Sequence, residues 1–566
     1  MNGLGVSNKW NIAPQDHPGV RHLSTALGIP PILAQLLIRR GLDTPEAAQT
    51  FLTPSLQHLS DPFLLTGMRE AVERITRARD AGEHVLVFGD YDVDGISGTA
   101  ILVNGLKRFG LTQVSFNMPK RLTEGYGLDN EHVDEALAQG VSLIVTVDNG
   151  IAAHGPAAHA RAAGLDLIIT DHHSIEHGLP DALAVINPQR EPESYQGRYL
   201  CGAGVAFKLS TALNGTPNDL DIAALGTVAD IVPLLEENRV IVALGLKHIA
   251  RYQRNGIARL ASVAGIDLQS ITSVDIGFQI GPRINAAGRL NNGLAALHLL
   301  LTECPDQAAE MANFLNDANA ERRSIEKDIY EEALEELDAC FTPAQRGIVL
   351  AREGWHPGVI GIVASKIQGR YQRPVVIIAV GEDGLGRGSA RANGGFDMVK
   401  AFRGCQEHLV KFGGHRSAAG LTIAMENLER FSASFEQAAR EQLGDGEIIS
   451  ELEVDVIASL SELDPVLLNA IARLEPLGHH NPAPVFCTLG VEALGASARI
   501  LKDQHLKVSF RQGDTVVPAI GFNMAERFYT EDLTGLVDIA YTPQFNVWRG
   551  ETTIQLLLKD IRPAAG

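Results

Sequence analysis

A chain of 566 residues is too long for one hydrophobic core and too ordinary in composition for a fibrous or disordered protein. Its net charge of −20, from 68 acidic against 48 basic side chains, argues on its face against a polyanionic partner. That objection weakens if carboxylates gather around metal ions, whose binding cancels their field. Five scattered cysteines without a C-x-x-C pair indicate neither a disulfide framework nor a zinc site, and no apolar run approaches the roughly 20 residues of a membrane span. With no signal-like stretch at the N-terminus, a reducing cytoplasm is the expected setting.

Residues 1–50 read as an N-terminal helical segment, broken at Pro30-Pro31 and helix-like from Ile32 to Arg40. Residues 51–300 read as one α/β domain. Met68 to Ala81 is amphipathic, and a short apolar strand ends at Phe88. Gly98 to Phe109 predicts a helix, Val114 to Met118 a strand, Asp129 to Gln139 a helix, and Leu143 to Val147 a second apolar strand. Ala157 to Ala163 and Leu167 to Thr170 repeat the alternation, and Leu183 to Ile186 closes it before Asn187-Pro188. Such a βαβ series predicts a largely parallel sheet. Residues 301–342 are polar and almost free of Gly and Pro, and predict a solvated, salt-bridged connecting helix. Residues 343–445 form a second α/β lobe, with strands at Gly347 to Ala351 and Val375 to Val380 around a helix from Val359 to Gln368. Residues 446–566 change to short alternating strands, such as Leu506 to Arg511, and suggest a small β-barrel. The expected architecture is therefore α/β: two α/β lobes joined by a long helix, plus a C-terminal barrel.

Three of the first lobe's strands stop at carboxylates: Gly89-Asp90-Tyr91-Asp92-Val93-Asp94-Gly95, Val147-Asp148-Asn149-Gly150 and Thr170-Asp171-His172-His173. A fourth acidic station, Gly226-Thr227-Val228-Ala229-Asp230, lies in a helix-like stretch. Ligands of open α/β sheets bind beyond the carboxyl ends of the strands. Carboxylates gathered there repel one another unless cations sit among them, so a divalent metal pair is the natural occupant. Hard oxygen ligands with an added imidazole suit Mn²⁺ or Mg²⁺. Asp92 and Asp94, two apart, share a face if the segment is extended, and Ser97 is then placed to cap the next helix. A single Asp after a strand is more often only a turn residue; three in one series are not.

These four motifs resemble those of the DHH phosphoesterase superfamily, and Gly413-Gly414-His415 resembles the glycine-glycine-histidine motif of its associated domain. Arg121 to Gly127, Gly281 to Arg289 and Gly354 to Gly361 resemble the single-strand-specific DNA exonucleases within it. The resemblance implies metal ligation by Asp92, Asp94, Asp148, His172 and Asp230, with Asp148 bridging two Mn²⁺ or Mg²⁺ ions and Asp90 ligating or supporting them. His173 would face the scissile phosphate and Asp171 would orient an imidazole. It also implies an OB-like terminal barrel and 5′-to-3′ hydrolysis of single-stranded DNA to mononucleotides. Recombination, recombinational repair and mismatch repair are the implied settings. The implied partners are a single-strand-binding protein and a RecQ-type helicase, with the enzyme a monomer.

Phosphate-binding candidates are Arg121, Arg283, Asn285 and Arg289 in the first lobe, the alternative being a surface arginine and a helix-packing turn. Arg387, Ser389, Arg391, Gly413, Gly414, His415 and Arg416 offer a terminal-phosphate pocket on two Gly-rich loops in the second. Trp355 and His356 can stack on a base or pack the lobes together. Lys507 is a candidate strand contact on the barrel, or merely solvated. Two other readings compete: a small-substrate phosphodiesterase of the superfamily, and a non-catalytic replication scaffold that retains the fold.

Overall fold

The first sheet follows from its composition. The computed structural model describes residues 9–14, 17–119, 127–289, 293–444, 446, 451–531, 533–548 and 550–564. Its first lobe holds five parallel strands, in the order Val114–Asn117, Val85–Phe88, Leu143–Val147, Asp166–Thr170, Ala184–Ile186. The central strands are buried throughout, as expected of continuous β-branched runs covered by helices on both faces. The chain leaves Val85–Phe88 in one direction and returns on its other side at Leu143–Val147. The sheet therefore reverses between those two strands, which is where ligands of such folds sit.

The helix after the first strand spans Val93–Phe109 and begins five residues earlier than its sequence suggested. Asp92 is the reason. Its side chain accepts from the amides of Asp94 and Gly95, at 2.9 and 3.1 Å, and caps the helix. Asp94 therefore stands in the first helical turn and not on an extended strand, and Ser97 lies buried inside the helix.

The connecting helix runs Pro305–Cys340 over 36 residues. It is less solvated than its composition implied. Arg322 is only 8% exposed and is tied to Glu326, itself 5% exposed, and Glu326 also pairs with Lys366 of the second lobe. That lobe has a five-stranded sheet ordered Lys411–Gly414, Ala418–Ala424, Leu385–Arg391, Val375–Val380, Ile348–Glu353. Only its last pair is parallel. The second lobe's Gly-rich segment at 385–391 is therefore a paired strand and not a loop.

Five strands at the C-terminus close into a barrel: Phe486–Leu501, His505–Gln512, Thr515–Gly521, Glu551–Pro563 and Gly535–Trp548, the last pairing back to the first. The N-terminal helices His17–Leu27, Pro31–Arg39 and Pro45–Leu52 share the barrel's core, where Leu33 and Leu37 join a cluster with Phe486, Phe510 and Tyr541. A strand at Lys9–Ile12 pairs in parallel with Glu451–Val454. Arg239, on the first lobe's helix Glu236–Tyr252, fixes this body to the first lobe. Its guanidinium donates to the carbonyls of Phe51, Arg473, Leu474, Glu475 and Pro476 and lies 3.5 Å from the Phe51 ring centroid. Among the described residues no helix is long and apolar enough to cross a membrane.

Candidate metal and phosphodiester site

The four acidic stations converge at the reversal of the first sheet. Asp148 follows Val147 in the left-handed region, at φ 62°, and Asp and Asn are the side chains that tolerate this best. The turn is pinned by Asn149, whose amide group donates to the carbonyls of Val147 and Phe88. Asp171 is a hub. One of its oxygens accepts from the amides of His172 and His173 and from His173 Nδ1, and the other accepts from Ile151 N. Asn187 steadies the same loop by donating to the His173 carbonyl at 2.9 Å.

Ligand-type atoms of Asp94, His172 and Asp230 lie within 4.8 Å of one another, and so do those of Asp90, Asp92 and Asp148. His172 joins the groups: its Nε2 is 3.1 Å from Asp148, 3.6 Å from Asp230 and 3.8 Å from Asp94. That nitrogen is buried and makes no hydrogen bond among the described residues. Burial, partly opposed by Asp94, lowers its proton affinity, so it presents a neutral lone pair to the carboxylates. Burial first, then Asp94, Asp92, Asp90 and Asp230, push Asp148 well above the usual carboxylate range. Asp230 is raised to about 9 by burial and then by Asp94 and Asp92. A donor set of several oxygens and one unprotonated imidazole, strained by its own repulsion, fits a pair of divalent cations.

His173 behaves differently from its neighbour. Burial works against its charged form, but the hydrogen bond to Asp171 and the surrounding carboxylates outweigh this and raise its proton affinity. Burial likewise opposes the charge on Asp171, yet the bonds from His173 and the Ile151 amide hold it below its ordinary value.

These shifts fix the sign of a pH effect. A folded protein whose carboxyls are raised holds protons that the unfolded chain has released, so its stability falls as pH rises from about 4 to about 9. Chelated protein should therefore lose thermal stability across that window. Added Mn²⁺ should release protons on binding and raise the Tm most at the alkaline end. Calorimetric titration in buffers of different ionisation heat, with melting curves in EDTA and in Mn²⁺, checks this; superimposable melting profiles would contradict it.

Sequence reasoning missed the groups that hold Asp94. The amides of Gly202 and Ala203, at the start of the helix Gly202–Asn214, donate to its two oxygens at 2.6 and 2.8 Å. The only sequence signal was a run of small residues, Gly202-Ala203-Gly204. Asn285, expected at a phosphate, instead accepts from Val93 N and fastens the start of the metal-bearing helix. Trp355, considered for base stacking, is 5% exposed in the core between the second lobe and the connecting helix, and its Nε1 donates to Glu332. Its ring has no free face for a base. His356 is half-buried and accepts from Gly358 N.

In the second lobe, Arg387, Ser389 and Gly413 line one cavity of about 720 Å³ together with Tyr91, which stands between Asp90 and Asp92 in the chain. Arg387 is exposed and 3.3 Å from Asp383, and Arg391 donates to Ser389 Oγ. Gly414 ends a strand, and His415 and Arg416 follow it, exposed, in a hairpin turn. Lys507 is exposed on the barrel, far along the chain from the metal cluster. Arg283 borders the connecting helix and donates to Asn316 and the Gln279 carbonyl. Arg121 and the side chain of Arg289 lie outside the described residues.

Three family models match the chain: the DHH family N-terminal domain over residues 84–229, the DHHA1 domain over 344–441 and the RecJ OB domain over 454–560. The single-stranded-DNA-specific exonuclease RecJ of Bacillus subtilis is 36% identical over 565 residues, covering 98% of this chain and 71% of the relative. RecJ of Escherichia coli is 34% identical over 94% of this chain and 96% of its own length. Among solved structures, RecJ from Thermus thermophilus in complex with Mn²⁺ superposes with a TM-score of 0.85 at 31% identity, covering 99% of this chain and 80% of that one. The same protein with Mg²⁺ gives a TM-score of 0.79 at 29% identity, with 99% and 79% coverage.

Proposed function

This chain belongs to the RecJ family of exonucleases, and on that premise we propose that it hydrolyses single-stranded DNA from the 5′ end to mononucleotides with two Mn²⁺ or Mg²⁺ ions. One observation supports the polarity above the others. Tyr91, between Asp90 and Asp92 in the chain, lines the cavity bearing Arg387 and Ser389, so a 5′-terminal phosphate held there would lie toward the acidic cluster. Recombination, recombinational repair and mismatch repair in the cytoplasm, as a monomer served by a single-strand-binding protein and a RecQ-type helicase, complete the reading.

Asp94, His172 and Asp230 would hold one ion and Asp90 and Asp92 the other, with Asp148 shared. Bound there, the pair supplies Lewis-acid charge for the phosphate and lowers the pKa of water. The protein's own groups do the rest. Asp171 orients the His173 imidazole and holds the backbone amide of His172, and its bond to His173 Nδ1 favours a second proton on Nε2. The phosphate or the departing oxygen is the natural acceptor of that proton. Arg387 and Ser389 bind and orient the terminus.

End-labelled single- and double-stranded oligomers, with 5′-phosphate or a blocked 5′ end, test this in Mn²⁺ and Mg²⁺. Stepwise loss of 5′ nucleotides from single strands is expected. Arg387→Ala should raise KM about tenfold for phosphorylated ends and little for blocked ones. The modest size reflects a guanidinium already shared with Asp383. Digestion from 3′ ends, or equal loss on both substrates, overturns the pocket assignment.

A further inference from the structure

Two cavities of opposite chemistry lie side by side next to the metal cluster, and Phe278 belongs to the walls of both. One, of about 380 Å³, has Arg283 and Arg323 around it beside the Arg322–Glu326 ion pair, and so carries a net positive charge. Among the described residues neither Arg283 nor Arg323 pairs with a carboxylate, and burial first, then the nearby Arg323 charge, lower the proton affinity of Arg283. The other, of about 430 Å³, is apolar, formed by Val228, Ile231, Val232 and Val274 under the segment 477–483 that leads into the barrel. Its walls are fixed: Leu234 N donates to the His479 carbonyl, and Ser273 Oγ donates to that of Leu477.

The two most exposed apolar side chains here are held out deliberately by the backbone. Phe278 is 79% exposed at the middle of a π-helical turn, Ile276–Ile280, a geometry that recurs at functional sites. Ile231 follows Asp230 directly, is 69% exposed and has φ 59°, a conformation unfavourable for a β-branched side chain. A polynucleotide offers charged phosphates and flat apolar bases at alternating positions. A guanidinium cavity and an apolar cavity divided by one projecting ring match that alternation, and the apolar wall is continuous with the metal ligand Asp230.

We propose that Phe278 and Ile231 form a nucleobase subsite for the strand beyond the cleaved nucleotide, in which one base stacks on Phe278 over the apolar cavity while the adjoining phosphate lies toward Arg283 and Arg323. This rests on the exonuclease reading above and names a specificity contact within it. The base makes no sequence-reading hydrogen bonds there, so the subsite accepts all four.

The test uses the full chain with 5′-phosphorylated single strands carrying one abasic position, stepped along the oligomer. Wild-type protein should show a rise in KM of about tenfold when the abasic position falls at one register and little at its neighbours. Phe278→Ala should raise KM about tenfold on the intact strand and erase the penalty at that register, with kcat changed less. Phe278→Trp should restore both. Wild-type protein that digests intact strands but gives a flat abasic scan overturns the subsite alone. So does a Phe278→Ala variant that keeps the register-specific penalty, or one that the Trp variant does not rescue. Wild-type protein that cuts no single strand at all overturns the parent reading instead.

Discussion

Asp148→Asn should lower hydrolysis by about a thousandfold or more while leaving the chain folded. Several kcal/mol of transition-state charge stabilisation depend on correctly held metal ions, and each 1.4 kcal/mol is tenfold in rate. Asp148 is the carboxylate that belongs to two of the clusters of ligand atoms, one with Asp90 and Asp92 and one with both histidines. Asn preserves its size and tolerates the left-handed backbone, so the turn at φ 62° survives the change. The substitution also removes a buried carboxyl whose ionisation burial and four neighbouring carboxylates oppose. Chelated variant should therefore melt no lower than chelated wild type, and the rise in Tm on adding Mn²⁺ should shrink. Turnover within tenfold of wild type, with an intact Mn²⁺ response, would show that this carboxylate is not a shared ligand.

The strands that carry the site were legible because each is a short, continuous apolar run that stops at an acid. Leu143–Val147 has the limits its composition implies, and Val85–Phe88 ends where its apolar run does. The second sheet-end acid was placed on the wrong element because the segment Asp92-Val93-Asp94-Gly95 reads equally as an extended strand end and as a helix cap. The choice is made by the Asp92 side chain closing on the amides of Asp94 and Gly95. Polar composition misled at Arg322 and Glu326, where an ion pair within one helix turns out to be buried against Lys366 of another lobe. Long-range assembly left no local trace. Nothing in Lys9–Ile12 announces a parallel partner at Glu451–Val454, and nothing in Arg239 announces carbonyl partners more than two hundred positions away. Phe278 was passed over for a similar reason, since one aromatic in a helical stretch gives no sign that a π-turn will expose it.

Gly202→Ala is the more searching test, because it perturbs the site without touching a ligand. By intrinsic preference Ala is better than Gly in a helix by roughly 0.5–1 kcal/mol, so the change alone would be neutral or stabilising. Here a Cβ at position 202 would meet Asp148 Cβ at 2.4 Å and Asp148 Cα and Cγ at 2.9 Å. The same residue's amide holds Asp94 at 2.6 Å. Relief of the clash must therefore move either the shared carboxylate or the helix start that orients Asp94, and both belong to the metal cluster. Overpacking of this kind costs about 1–3 kcal/mol of stability, and a displacement near 1 Å at a reacting centre costs about a hundredfold in rate. The expected result is a fall in kcat of that order and a weaker Mn²⁺-induced rise in Tm. Gly155→Ala, on a helix where the added methyl meets nothing within 4 Å, should be harmless and serves as the control. If Gly202→Ala turns over like wild type with an unchanged metal response, the helix slides freely, and close packing against it does not set the position of Asp94 and Asp148.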